Sequence, residues 1–476
     1  MPVTTDTSAG AAKAARHRVP RTDTPWLNRA LPRLRGLEPT RSYGYAGELL
    51  HDDGRADMEA YGVRVADLAV RLGEALLSYG GSAEEAVAGM LVTAETYGIS
   101  YCEPGVMLAE VSLSGYAPGE LTPLHARRVI RKHGIDYSAL GRVHRLVDRI
   151  GARQLSLEEA RAEAGRILDA PENGGRWARY RVPVQTGIVA AGAALVFGGG
   201  LRSPLCAFVA GLLGALLCGW LGRHGVPAFY RFAVASMPAA VIALAVSRAA
   251  PPSAVPAIVV AGVLGLLPTV TFVSAVQDAL TGHYLTAIGR LCDAVLVFAA
   301  VVTGVVVVLG AGDLFGLGVA LVPRVSRAEY LGAPVVGVVV FAVAVAARAR
   351  TPRRDWPTAA LLGVVGFVVS VEFRVLGLSA LVGTALVATV VGCAGHWVAR
   401  RRRESALPLV VPGIAPLLPG GVLYISLTAL ASGRTTQGLG GLVNVAAVTL
   451  ALAVGVGLSG EVGQLVRRVR RGFGSG

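Results

Sequence analysis

From Val184 to Ser459 the chain is a succession of apolar stretches of bilayer length, separated by clumps of arginine. A spanning helix needs about 20 mostly apolar residues. Candidates fall at 184–200, 204–221, 229–247, 254–276, 286–309, 331–347, 357–372, 376–398, 407–430 and 437–459. Ten spans place both ends of the chain on one side. With the N-terminus inside, the cytoplasmic connections and the tail hold fifteen arginines: Arg223, Arg231, Arg290, Arg348, Arg350, Arg353, Arg354, Arg400 to Arg403, Arg467, Arg468, Arg470 and Arg471. The opposite side holds six, namely Arg202, Arg248, Arg324, Arg327, Arg374 and Arg434. Positive charge is retained on the cytoplasmic face, so ten spans with both termini inside is the self-consistent count. The formal charge of +14 suggests nucleic acid at first sight. Its confinement to the ends of apolar runs assigns it to membrane topology instead, and no nucleic-acid partner is expected.

The first 183 residues differ in kind. They carry 24 Lys+Arg against 23 Asp+Glu, whereas residues 184–476 carry 21 Arg, no Lys and 8 acids. No apolar leader opens the chain, so this region is expected in the cytoplasm. Residues 1–45 read as a disordered tail and 46–180 as a mostly helical domain. Val63 to Leu77 has helical periodicity, ended by Gly80-Gly81; Ser82 and Glu85 form a capping box that opens a helix to about Tyr97, with Gly98 placed to end it. Met107 to Ser114 alternates and is the one strand candidate. Leu140, Val143, Leu146, Val147 and Ile150 share a helix face, and Ser156 with Glu159 opens a further helix. Pro171 to Gly175 reads as a linker. Five scattered cysteines and histidines without ligand spacing exclude a disulfide framework or a zinc site. No cofactor is expected.

The membrane half repeats itself. Leu266-Leu267-Pro268 recurs as Leu417-Leu418-Pro419, a shift of 151 that also maps Gly262, Gly282, Gly289 and Gly304 onto Gly413, Gly433, Gly440 and Gly455, and Asp293 onto Asn444. Upstream, Gly211 and Gly214 meet Gly363 and Gly366 at a shift of 152, and Pro204 meets Pro357 at 153. The expected fold is therefore an all-α polytopic membrane protein of ten transmembrane helices. It divides into a five-helix unit at 184–310, a second at 331–460 and a basic tail at 461–476. Five is odd, so the second unit must lie inverted. Prolines interrupt the helical ladder, and broken backbone at membrane depth is tolerated where it lines a cavity or is buried in protein. Paired breaks in inverted units are typical of secondary transporters.

Polar groups gather at the breaks. Thr269, Thr271, Ser274 and Gln277 follow Pro268; Gly420, Gly421, Tyr424, Ser426 and Thr428 follow Pro419. These are the candidate substrate contacts, although hydroxyls also bond back to helix carbonyls. Asp278 and Asp293 are the candidate proton carriers, since ionisable groups at membrane depth are costly and usually paired or functional. An alternative for Asp293 is an ion pair with Arg290 one turn earlier. Glu372 and Arg374 read as interfacial anchors, and Asn444 as a pairing residue.

The helix pair around Gly80-Gly81-Ser82 to Gly98, the segment from Gly265-Leu-Leu-Pro268 to Asp278, Gly282 and Arg290, and the run from Val411-Pro-Gly413 to Leu418-Pro-Gly-Gly421 and Tyr424 resemble the bacterial threonine/serine exporter family over about residues 60–460. The resemblance implies a proton-driven exporter of threonine and serine in the cytoplasmic membrane, with Pro268, Asp278, Arg290, Pro419 and Gly420 as carried-over positions. Related proteins split the two halves between chains and are associated with succinate export, which leaves a small dicarboxylate as the alternative cargo. Thr269 departs from the glycine common after the first Leu-Leu-Pro. The partners implied are a small-molecule substrate and the bilayer, and a homo-oligomer is compatible with both. The rival readings, an intramembrane enzyme or a membrane scaffold, lack a nucleophile–base pair or leave ten spans with paired breaks unexplained.

Overall fold

The computed structural model describes residues 52–107, 110–116, 123–130, 134–169, 178–197, 202–248, 254–314, 332–402, 406–417, 419, 422, 425, 426, 429 and 434–472. The expected tail at 1–45 and linker at 171–175 lie outside these residues. The chain begins with helices α1 (Asp52–Ser78) and α2 (Ala83–Thr96), followed by strands β1 (Ser100–Met107), β2 (Glu110–Tyr116) and β3 (Pro123–Val129) and helices α3 (Tyr137–Gly151) and α4 (Leu157–Leu168). Both capping boxes are present: Ser82 and Glu85 open α2, and Ser156 and Glu159 open α4. Gly98 takes φ +93° just past the end of α2, a conformation only glycine adopts without strain.

The strands form an antiparallel sheet in the order β1-β2-β3. The alternation from Met107 to Ser114 thus belongs to two strands: Met107 pairs with Glu110 beside a hairpin. β1 escapes a pattern reading because Pro104-Gly105 interrupts it. An edge strand accommodates that pair, since one side of it needs no ladder donors. Leu68, Leu72 and Leu76 of α1, Met90 of α2, Leu113 of β2, and Leu140, Leu146 and Ile150 of α3 fill a single core. These repeats of three and four residues are the stripe an amphipathic helix buries.

Apolar helices follow: α5 (Ala178–Val196), α6 (Ser203–Arg223), α7 (Ala228–Val246), α8 (Ala254–Leu264), α9 (Thr269–Leu280), α10 (Tyr284–Leu314), α11 (Gly332–Arg348), α12 (Trp356–Val375), α13 (Ala380–Arg402), α14 (Leu407–Ile414) and α15 (Thr435–Gly472). Among the described residues six helices are long and apolar enough to cross a membrane. At about 1.5 Å per residue, the 21 residues of α6 match a hydrocarbon layer of about 30 Å. Leu205, Trp220, Ile288, Leu361 and Val443 are exposed, leaving an apolar outer surface that suits lipid. α15 continues as one helix through the basic segment after 460.

Small residues set how closely these helices approach, as expected where lipid supplies no hydrophobic drive for association. A Cβ on Gly192 of α5 would stand 2.8 Å from the Phe341 amide nitrogen of α11, and one on Gly337 would stand 2.8 Å from the Gly192 carbonyl. Eight other glycines make contacts that match in four pairs. Gly262 faces Ala210 and Ala239, and Gly413 faces Leu362 and Val391; Gly211 faces Thr186 and Ala190, and Gly363 faces Val338 and Ala342. Gly214 faces Ala235 and Leu266, and Gly366 faces Val387 and Leu417; Gly304 abuts Ala233 and Ser236, and Gly455 abuts Ala385 and Ala388. Every residue in the first of each set recurs in the second at a shift of 151 or 152.

A Cβ at Gly304 would overlap the Ala233 carbonyl, and one at Gly455 the Ala385 carbonyl, whereas Gly310 faces open space. Gly304→Ala and Gly455→Ala should each destabilise the detergent-purified protein by about 1–3 kcal/mol. Gly310→Ala should leave its melting temperature unchanged in the same thermal-unfolding measurement.

Candidate functional site

The span expected at 254–276 is two half-helices. Pro268 offers no amide to the Leu264 carbonyl, which accepts instead from Leu267 at 3.2 Å, while the Val263 carbonyl accepts from Leu266 at 2.9 Å. The backbone tightens, turns, and restarts as α9 with Pro268 at its N-cap. The Gly265 carbonyl accepts a hydrogen bond from Arg348 Nη1 at 2.7 Å, across from the end of α11. Gly265 has no room for a side chain: a Cβ there would lie 2.6 Å from Cγ2 of the buried Thr186.

The span expected at 407–430 also breaks. α14 ends at Ile414, a 3-10 turn covers Ala415–Leu417, and Pro419 lies in a turn. Ala261 and Leu264 of α8 share one apolar cluster with Ala415, alongside Val189 of α5 and Phe341 of α11. One apolar cluster, bridged by α5 and α11, therefore reaches from the end of α8 to the 3-10 turn of the second interruption. On the far side of the first break, Phe272 packs with Ile425, Leu442 and Val445.

The candidate contacts divide. Thr271, Ser274 and Gln277 are half-buried on α9, and with Asp278 they form a polar stripe along that half-helix. Thr269 starts α9; nothing is described of its side chain. Ser426 is buried and donates to the Val422 carbonyl at 2.7 Å, the self-satisfied arrangement of a helical hydroxyl. Gly420, Gly421, Tyr424 and Thr428 lie outside the described residues. Asp293 and Asn444 are both exposed on their helices, as is Glu372.

Asp278 is 1% exposed. Arg290 donates to its Oδ2 at 2.5 Å, so the arginine pairs with Asp278 twelve residues back and not with Asp293 three residues on. The chain turn at Thr281–Gly282 between α9 and α10 folds the two side chains together, a contact that helical spacing alone conceals. Oδ1 of Asp278 accepts from the Ala83 amide at 3.5 Å. A carboxylate at the end of the broken span thus faces the first residue of α2, where free amides and the helix dipole favour negative charge.

Two more contacts seat the N-terminal region on the same side. The Tyr137 amide donates to the Ala349 carbonyl at 2.9 Å, and Arg350 Nη1 donates to Asp136 Oδ2 at 2.7 Å. Ala349 joins the core of the N-terminal helices, with Leu407 and Val411 packed at its edge. Sequence reasoning missed this docking, and it missed Arg348, which reads in the sequence as one more topogenic arginine.

Beneath this seam lies a buried acid–imidazole pair. His144 Nε2 stands 3.9 Å from Glu85 Oε2. Burial pushes the Glu85 carboxyl up to about 7, only partly offset by the Ser82 amide that bonds it. Burial, helped by Arg145, pushes the His144 imidazole down to about 4. Tyr137 is held neutral by burial and by Glu85.

A sequence profile described as "Putative threonine/serine exporter" matches residues 67–311, and one described as "Threonine/Serine exporter, ThrE" matches residues 334–462. The first alone spans just over half of the chain. The chain belongs to the threonine/serine exporter family. It is 29% identical over 427 residues to a "Probable threonine/serine exporter" of Mycobacterium tuberculosis, covering 85% of this chain and 79% of the relative. It is 26% identical over 420 residues to a "Threonine/serine exporter" of Corynebacterium glutamicum, covering 86% and 84%. No solved structure matches. With its apolar helices, this membership makes the chain a multi-pass protein of the bacterial cell membrane.

Two outcomes test the seam. Asp278→Asn leaves Arg290 without its counter-charge, at a cost on the order of 3 kcal/mol for a largely buried pair. Hydrogen exchange at the first amides of α2 should accelerate in that variant. Glu85 binds a proton more tightly when folded, so its contribution is complete below about pH 4.5 and is lost as pH rises towards 7. His144 has the opposite sign, its contribution being lost as pH falls from 6.5 towards 4. The two offset each other. Glu85→Gln should therefore make stability rise with pH across 4–6.5, and His144→Asn should make it fall across 4.5–7, each by up to about 3 kcal/mol in pH-dependent thermal unfolding.

Proposed function

We propose that the protein is a secondary exporter of small polar amino acids, threonine and serine first, driven by the proton gradient. In this reading, alternating access moves two inverted five-helix units around the spans broken at Pro268 and Pro419. The observation that carries it is that one apolar cluster joins residues at both interruptions in a chain that belongs to an exporter family. The matched glycine contacts support the duplication, because a shared shift reproduces whole neighbourhoods and not only letters. Backbone groups freed at the breaks, with Thr269, Thr271, Ser274 and Gln277 from the first unit and Gly420, Gly421, Tyr424 and Ser426 from the second, would line the path. Helix ends at such breaks bind ionic groups of cargo.

We assign proton exchange to Asp278 ahead of Asp293. Asp278 is buried between a cation and a docked helix, where gain or loss of a proton changes contacts on both sides. Asp293 is exposed and has no ion-pair partner among the described residues. The N-terminal region would act as a cytoplasmic gate, seated on Asp278 and on the Ala349–Arg350 turn.

Efflux of labelled threonine, serine and succinate from preloaded right-side-out vesicles, with and without a proton ionophore, tests this directly. Threonine and serine efflux should collapse with ionophore, and Asp278→Asn should lower the proton-driven rate at least tenfold. Succinate efflux in place of amino-acid efflux selects the dicarboxylate alternative. Unchanged proton-driven efflux in both Asp278→Asn and Asp293→Asn overturns the proton assignment.

A further inference from the structure

Arg348 is held at the first break by one hydrogen bond, from Nη1 to the Gly265 carbonyl. It is exposed, and among the described residues no carboxylate lies within ion-pair distance of it. Arg231 of α7 is half-buried. The Arg231 Nε atom is buried with no hydrogen-bond partner, and its guanidinium carbon lies 5.3 Å from the Phe232 ring centroid. The acids of the surrounding helix ends are committed elsewhere. Asp278 is taken by Arg290, Asp136 by Arg350, and Asp355 lies by Arg354. Arg348 thus reaches the broken span with no carboxylate against it among the described residues, and Arg231 of α7 has none either.

We propose that Arg348, seconded by Arg231, is the binding site for the carboxylate of the transported molecule. This deepens the exporter reading and rests on it for the identity of the cargo. A guanidinium is a planar fork that matches a carboxylate bidentately, which an ammonium cannot reproduce. The Gly265 carbonyl holds one nitrogen of Arg348 and thereby fixes the fork at the break, leaving its other donors for the incoming anion. The zwitterion of a small amino acid would present its carboxylate to Arg348, with its side chain towards the polar stripe of α9. The adjoining turn carries the docking contacts of Ala349 and Arg350, so the anion site and the domain seam share three consecutive residues.

The test is ligand-dependent thermal stabilisation of the purified full-length protein in detergent, at constant ionic strength, with L-threonine, L-threoninamide, succinate and sulfate. Threonine should raise the melting temperature and threoninamide should not. Arg348→Gln should raise the half-saturating threonine concentration at least tenfold; Arg231→Gln should raise it less, and Arg348→Lys should fall between wild type and Arg348→Gln. Monodisperse Arg348→Gln with wild-type half-saturation overturns the site, as does equal stabilisation by threoninamide or by sulfate. Should Arg348→Gln not fold, Arg348→Lys with unaltered half-saturation overturns it equally. Stronger stabilisation by succinate, lost in Arg348→Gln, upholds the carboxylate site and rejects the amino-acid reading of the cargo. Absence of threonine efflux from wild-type vesicles rejects that reading alone, since the binding measurement does not depend on transport.

Discussion

A carbonyl released from the helical ladder by proline must find another donor, and much of the organisation around the first break follows from that constraint. Pro268 removes one donor from the ladder and the chain turns over four residues. The Gly265 carbonyl then takes its hydrogen bond from a side chain on another helix. That donor is an arginine, so satisfying the backbone brings a full positive charge to the break. A serine or asparagine would have satisfied the same oxygen without the charge.

The charge sits at the end of α11, and its two following residues hold the N-terminal helices. Asp278 and Arg290 repeat the pattern at the end of the same broken span: a buried pair is satisfied on its second oxygen by the first amide of α2. Broken helix, ion pair and docked domain are therefore one connected structure. At the first break the Val263, Leu264 and Gly265 carbonyls are each met by a neighbouring donor. Glu85 and His144 extend it inward, with burial shifting their titrations in opposite directions.

Legibility followed the range of each interaction. Capping boxes, the end of α2 at Gly98 and the buried stripe of α3 are local, and residues a few positions apart determine them. The Leu-Leu-Pro interruption was equally plain, because proline acts on its own backbone. The β1 strand was hidden by Pro104-Gly105, tolerated only because that strand lies at an edge, a property of the assembled sheet. The partner of Arg290 was left open for a similar reason. Helical spacing offered Asp293, while a turn between two helices offered Asp278 at closer range. Arg348 was invisible as anything but a topology signal, since its acceptor lies 83 residues away.

The docked domain touches both halves of the membrane region: Asp278 in the first, and Ala349, Arg350, Leu407 and Val411 in the second. Any rocking of one half against the other must therefore strain some of these contacts. They are unequal. The second half is held by a 2.9 Å backbone bond, a 2.7 Å ion pair and apolar packing into the domain core; the first is met by α10 beside β1 and by a 3.5 Å hydrogen bond to a carboxylate already engaged by arginine. In the proposed alternating-access cycle, the long hydrogen bond at Asp278 would be the contact that yields most easily. A proton on that carboxylate weakens the same attachment, because a neutral acid is a poorer acceptor for the Ala83 amide and a poorer partner for Arg290. In the proposed exporter cycle, proton binding at Asp278 and loosening of the domain would be coupled through one side chain.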